Sequence, residues 1–261
     1  MAPYKLIPYG ISDFAQVREE DKYYADKTMY LPKMEAAGNF LFLIRPRRFG
    51  KSLFLSMMRY YYDINEKDNF DSLFTGLWIE KNPTPLMGTF QVLYLDFSQV
   101  GGDMNSLFDR FNSRTGAVLD DFAYRYERFY YDGFAADVEK KSDFRSKLDH
   151  ITLQAKRRGI HLYLIVDEYD NFTNTVLNVA GEEVYHAMTH AEGFYRDVFK
   201  LFKPNFDRIL MMGVSPVTMD DVTSGYNIAT SLTLDPEFNM MLGFSENEVR
   251  EMIRYYQSVG V

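Results

Sequence analysis

Between the apolar run Phe40-Leu41-Phe42-Leu43-Ile44 and a helix-like run beginning at Leu53 lies Arg45-Pro46-Arg47-Arg48-Phe49-Gly50-Lys51-Ser52. No other stretch constrains the fold as much. A buried strand, a short loop ending Gly-Lys-Ser and an apolar helix in direct succession are the context in which backbone N–H groups wrap around phosphates. In such a P-loop the lysine, here Lys51, reaches the outer phosphates of a nucleotide and the next hydroxyl, Ser52, ligates Mg²⁺. The helix then points its positive dipole end at the same anion. The full pattern is G-x-x-x-x-G-K-[ST], and Arg45 stands at its first glycine. The competing reading is a basic surface loop, since Arg45, Arg47, Arg48 and Lys51 place four cations within seven positions and such a patch could meet nucleic acid.

Overall charge weighs against that alternative. The formal net charge is −8 with a pI near 5.1, so the surface offers nucleic acid no general attraction. The chain contains no cysteine, which excludes disulfides, thiol catalysis and cysteine-based zinc sites. Met1 to Asn39 is polar and charged without a signal-peptide pattern, and no apolar run approaches the roughly 18 residues of a membrane span. A soluble cytoplasmic protein is the expectation.

Three further runs read as buried strands: Val92 to Phe97, Leu162 to Asp167 and Ile209 to Ser215. Helical patterns lie between them at Ser52 to Asp63, at Ser142 to Arg158 with Ser142 as N-cap and Gly159 as stop, and at Ala180 to Lys200. A helix is also expected within Gly101 to Tyr131, although Asn112-Ser113-Arg114-Thr115-Gly116 speaks against its continuity. Ile228 to Leu234 reads as a fifth strand, and Ser245 as the N-cap of a last helix carrying Met252, Ile253 and Tyr256. Alternating strands and helices imply a parallel sheet covered on both faces, with ligands at the C-terminal strand ends.

Hydrolysis needs a metal-shell carboxylate and a group that activates water. The strand end Val166-Asp167-Glu168 offers both: Asp167 for Mg²⁺ and Glu168 to polarise the attacking water. Asp170 reads as a turn or capping residue. Ser215, ending the next strand, either senses the γ-phosphate or caps the strand before Pro216. Glu168, with a strand at Val92 to Phe97 intervening between the two motif strands, favours the additional-strand, catalytic-glutamate class of P-loop NTPases. Other patterns fail. His186 and His190 have metal-ligand spacing, but Ala187 stands where a zinc protease needs glutamate, and no G-x-S-x-G or G-x-G-x-x-G is present.

Several segments together resemble a bacterial family of predicted AAA-ATPase-like proteins: Pro8-Tyr9-Gly10-Ile11-Ser12-Asp13-Phe14, Tyr23-Tyr24-Ala25-Asp26-Lys27-Thr28, the loop Arg45 to Ser52, Val166-Asp167-Glu168-Tyr169-Asp170, Gly213-Val214-Ser215-Pro216, Ser224-Gly225-Tyr226-Asn227 and Gly243-Phe244-Ser245. The resemblance implies that Arg45 is the family's own P-loop variant, that ATP is the nucleotide, and that the fold is a three-layer P-loop NTPase sandwich of the AAA+ kind. It also implies that residues 1–39 form an N-terminal clasp, 40–243 the ATPase core, and 244–261 the start of a truncated helical lid. Ile11, Phe14 and Tyr24 then become candidate base contacts, with an apolar clasp as the alternative. Relatives commonly continue into a PD-(D/E)XK nuclease-like domain, expected here beyond Val261.

The residues support three functions: an Mg²⁺-dependent ATPase module acting on an output domain or partner, a non-hydrolysing nucleotide-binding switch or scaffold, and a basic-loop nucleic-acid binder. The nucleotide-site residues are Arg45, Pro46, Arg47, Arg48, Phe49, Gly50, Lys51, Ser52 and Leu53. Asp167 joins Ser52 at the metal, and Glu168 and Ser215 join Lys51 in catalysis. Arg208, Arg250 and Arg254 are all conceivable as charge-stabilising arginines.

Overall fold

The computed structural model describes residues 4–98, 104–171, 174–177, 181, 194–215 and 229–261. Strands β1 (Phe40–Ile44), β2 (Gln91–Asp96), β3 (Leu162–Asp167), β4 (Arg208–Gly213) and β5 (Thr230–Ser231) form one parallel sheet in the order β2-β3-β4-β1-β5. All six residues of β3 are buried, as a central parallel strand covered on both faces requires.

Alternation along the strands divides the core in two. Leu41, Leu43, Val92, Tyr163, Ile165, Leu210 and Met212 pack beneath α1 (Phe14–Glu19), α2 (Tyr30–Ala37), α3 (Lys51–Tyr62) and α4 (Phe70–Phe74). Leu93, Leu95, Leu162, Leu164, Val166, Ile209 and Met211 pack on the other face against α5 (Met104–Tyr126), α6 (Phe134–Glu139), α7 (Phe144–Arg157) and α8 (Phe194–Phe202). The result is a three-layer P-loop NTPase sandwich. Its defining inserted strand is β4, which lies between β1 and β3; β2, the strand that intervenes in sequence, sits at the sheet edge beyond β3.

The last helix, α9 (Glu246–Ser258), starts in a capping box. Ser245 Oγ accepts the Glu248 N–H, and Glu248 accepts the Ser245 N–H. It docks on the N-terminal segment. Tyr255 OH accepts the Lys5 N–H at 2.7 Å, Tyr256 OH donates to Lys5 O at 2.8 Å, and both rings lie within 6 Å of Tyr23. Lys27 completes the joint, with Nζ 2.5 Å from Glu248 Oε1 and donating to Met240 O at 2.8 Å.

Two expectations need correction. α7 is capped by Asp143, not Ser142: the carboxylate accepts both the Ser146 N–H and hydroxyl, and Ser142 only donates to that same carboxylate. α5 runs unbroken through Asn112 to Gly116, because Phe111, Leu119, Phe122, Ala123 and Tyr126 keep helical spacing and are all buried. That burial outweighs the ~1 kcal/mol cost of a helical glycine. His186, His190, Pro216 and Ser224 to Asn227 lie outside the described residues. None of the described helices is long and apolar enough to cross a membrane.

Candidate functional site

The phosphate loop joins β1 to α3 at the C-terminal edge of the sheet. Residues Pro46 to Gly50 are exposed, and two of them take left-handed conformations, Arg48 at φ +68° and Gly50 at φ +83°. Such turns aim successive N–H groups into one concavity. Gly50 N-caps α3 without a side chain, so the first-turn amides of that helix are left for an anion. Leu53, in the first turn, is half-buried and packs on the core beneath. Lys51 is only 6% exposed, and its Nζ donates to the Arg45 and Pro46 carbonyls, each at 3.0 Å. Burial pulls its pKa down, opposed by the negative charges of Asp167, Glu168 and Asp170.

Arg45 can replace glycine because its side chain leaves the loop. Nη1 donates to Ile44 O and Thr233 O at 2.9 Å, and Nη2 to Phe238 O at 3.2 Å. The side chain thus ties the loop's base to the segment after β5. A second tie joins Phe49 O to the Gly243 N–H at 2.9 Å. With Arg45 and Lys51 both turned inward, the four-cation surface patch is reduced to Arg47 and Arg48.

β3 delivers the acidic half. In register with Asp96 on β2, Asp167 projects toward α3, and its carboxylate gathers three donors: Ser52 Oγ at 2.7 Å, Tyr94 OH at 3.1 Å and the Glu168 N–H at 3.0 Å. At 3% exposure, burial raises its pKa against those hydrogen bonds. Glu168 takes φ +51°, unusual for a residue with a long side chain, and is half-buried. Burial and the neighbouring Asp167 and Asp96 raise its pKa, while Arg47 and Lys51 oppose the rise. Among the described residues no three acidic or histidine side chains converge as a self-sufficient metal cage.

Asp170 caps the end of β4. Its carboxylate accepts the Val214 N–H at 3.1 Å and the Ser215 N–H at 2.6 Å, and Tyr169 OH donates to Ser215 O at 2.9 Å. Ser215 is thereby held just past the C-terminal end of the strand between the loop strand and the acidic strand. Gly213 permits this approach: a Cβ there would lie 2.5 Å from both Asp170 Oδ1 and Tyr169 Cε1.

The proposed base contacts fare differently. Phe14 is fully buried, with ring centroids 5.3 Å from Tyr24 and 5.0 Å from Phe74, so it belongs to the core and offers a base no surface. Asp13 anchors this segment on α3 by accepting from Tyr60 OH at 3.3 Å. Tyr24 is half-buried in the same cluster, and Ile11 is half-buried at the preceding turn. Arg208 begins β4 at the opposite edge of the sheet, on the carbonyls of Gly38 and Glu35. Arg250 pairs with Glu246 on the exposed side of α9. Tyr94 was missed in the sequence; it shares a strand face with Asp96, a period-two relation visible beforehand, but its meeting with Asp167 depends on the register of β2 against β3.

The family described as AAA-ATPase-like, predicted AAA-ATPase, matches residues 8–223, and the chain belongs to that family. An uncharacterized protein encoded in the vnfD 5′ region of Azotobacter chroococcum mcd 1 is 27% identical over 257 residues, covering 94% of this chain. The chain spans 44% of that relative's length. Among solved structures, the Aeropyrum pernix ORC2 protein, determined as ADPNP–ADP complexes, aligns with 98% of this chain and 55% of its own, at 11% identity and TM-score 0.35.

Proposed function

We propose that this member of the predicted AAA-ATPase family is an Mg²⁺-dependent ATPase module whose nucleotide state drives an output domain or partner. The observation that carries the reading is the 2.7 Å contact between Ser52 Oγ and Asp167 Oδ2, which brings the helix of the phosphate loop to the acidic strand end bearing Glu168. A hydroxyl and a buried carboxylate at that separation are hard oxygen donors that fit Mg²⁺, which takes few protein ligands and keeps waters. Ser52 and Asp167 would hold the ion, which when bound would supply positive charge against the phosphates.

The chain's own groups supply the rest. Loop amides and the Lys51 ammonium hold the phosphates, with Lys51 exchanging its two loop carbonyls for phosphate oxygens. Glu168 orients a water and accepts its proton, and its raised pKa suits that task. The water oxygen bonds to the γ-phosphorus as the bond to the β–γ bridging oxygen breaks, and the electron pair departs with ADP. Ser215 contacts the γ-phosphate from β4. The N-terminal segment acts as a clasp, and α9 as the start of a lid.

One observation favours a second reading, a switch without turnover: Arg45 and Phe49 tether the loop at both ends to the C-terminal segment. The discriminating experiment is ATP turnover with Mg²⁺ and with a chelator, alongside ATP titration. Metal-dependent phosphate release supports the ATPase; tight binding without release leaves the switch; no nucleotide binding defeats both.

A further inference from the structure

Tyr94 shares a face of β2 with Val92, and its ring packs against the apolar cluster beneath α3. A phenylalanine would fill that space as well. What the apolar cluster does not account for is the hydroxyl, which donates to Asp167 Oδ2 at 3.1 Å. Tyr94 pairs with Ile165 and Asp96 with Asp167, so the side chain reaches one pair along the neighbouring strand, toward the edge that carries the phosphate loop.

Three donors fix the Asp167 carboxylate, and they are not equivalent. The Glu168 N–H holds Oδ1 at 3.0 Å but belongs to the adjoining residue and moves with Asp167. Ser52 Oγ holds Oδ2 at 2.7 Å, yet on the reading above its oxygen is also a ligand for Mg²⁺. Of the three, Tyr94 alone is seated on a neighbouring strand and has no phosphate or metal of its own to hold. Its hydroxyl keeps Oδ2 in place whether or not the ion has claimed Ser52.

We propose that Tyr94 is a positioning residue for the metal site: by donating to Asp167 Oδ2 it holds the carboxylate facing Ser52, and so sets the Mg²⁺ concentration that nucleotide binding requires. The inference rests on the Mg²⁺-dependent reading above and adds the group that preorganises its carboxylate. Outer hydrogen bonds to a liganding side chain are typically worth roughly 10- to 100-fold in metal affinity.

The test titrates ATP by calorimetry, in chelator and at stepped Mg²⁺ concentrations, into wild type, Tyr94→Phe, Asp167→Asn and the double variant. Tyr130→Phe is the control, since the Tyr130 hydroxyl donates to Gln91 Oε1 at 2.6 Å at the start of the same strand. Tyr94→Phe is expected to raise the Mg²⁺ concentration that gives half of the metal-dependent gain in affinity by roughly 10- to 100-fold, with ATP affinity in chelator unchanged. Tyr130→Phe should keep the wild-type Mg²⁺ requirement, whatever it costs in stability. In the Asp167→Asn background the loss of the Tyr94 hydroxyl should add nothing, because the charge it positions is gone. An unchanged Mg²⁺ requirement in Tyr94→Phe, an equal loss of ATP affinity with and without the metal, or additive effects in the double variant would overturn the proposal. If wild type binds ATP with Mg²⁺ but releases no phosphate, the ATPase reading fails by itself, and the Mg²⁺ requirement of Tyr94→Phe still decides. Wild-type ATP affinity that is indifferent to Mg²⁺ would sink both.

Discussion

Replacing Asp167 by asparagine should separate what this carboxylate does for the site from what it does for the fold. In the structure it accepts from Ser52 Oγ, Tyr94 OH and the Glu168 N–H at 2.7, 3.1 and 3.0 Å. Asparagine can keep all three partners satisfied. Its carbonyl faces the Glu168 N–H, its amide faces the two hydroxyls, and those hydroxyls rotate to accept. A net hydrogen bond is worth ~0.5–1.5 kcal/mol, so the nucleotide-free variant should lie within about 1 kcal/mol of wild type or above it. Asp167→Ala, by contrast, strands buried donors and should cost ~2–5 kcal/mol. The pH dependence follows from the raised pKa of Asp167. A carboxyl whose folded pKa exceeds its unfolded value, about 3.9, stabilises the fold fully below that value, and the contribution is lost as pH rises through the folded pKa. The stability of Asp167→Asn relative to wild type should therefore rise from about pH 3 to about pH 7. Mg²⁺-dependent ATP affinity should move the other way and fall roughly 10- to 150-fold, the equivalent of a charged interaction of ~1.5–3 kcal/mol. Urea unfolding across pH and calorimetric titration with and without Mg²⁺ provide both readouts. A loss of several kcal/mol in the nucleotide-free variant, or an unchanged metal dependence, would refute the assignment.

Three other outcomes are expected. Lys51→Ala should weaken ATP binding roughly 10- to 150-fold in calorimetry, and unchanged affinity would take Lys51 out of the phosphate site. Glu168→Gln should bind ATP as wild type does and release no phosphate, because an amide cannot accept the water's proton; single-turnover phosphate release reads this directly. Gly213→Ala should destabilise by ~1–3 kcal/mol in chemical denaturation, since its Cβ would lie 2.5 Å from Asp170 Oδ1 and Tyr169 Cε1 and displace the carboxylate that caps Val214 and Ser215. A denaturation midpoint matching wild type would mean that the turn can open without cost.

Local chemistry was legible in the chain wherever a signal was complete within a few residues. The phosphate loop, the apolar strand ending Asp167-Glu168 and the Ser245-to-Glu248 capping box each carry their physical cause in their own composition, and the helix or strand that follows from it forms. Errors came where neighbouring residues compete or where a remote contact decides. Ser142 and Asp143 are both good caps, and the carboxylate prevails by accepting two bonds at once. Asn112 to Gly116 reads as a break until the buried side chains around it are counted. Phe14 could meet a base in sequence, but packing against Tyr24 and Phe74 assigns it to the core.

Residue types and short-range spacing alone determined that a phosphate loop and an acidic strand end exist and that the strands alternate with helices in a parallel α/β arrangement. Tertiary structure decided which strand separates the two motif strands, since spatial order depends on crossovers and places β4, not β2, between them. It also decided the fate of each charged side chain in the loop. Arg45 and Lys51 turn inward to carbonyls that lie up to 193 residues away in sequence, while Arg47 stays exposed at the surface. The physical reason is one of range: propensity, capping and loop conformation act over a few bonds, whereas strand register and the partners of a long cationic side chain are set by whatever the completed fold brings alongside.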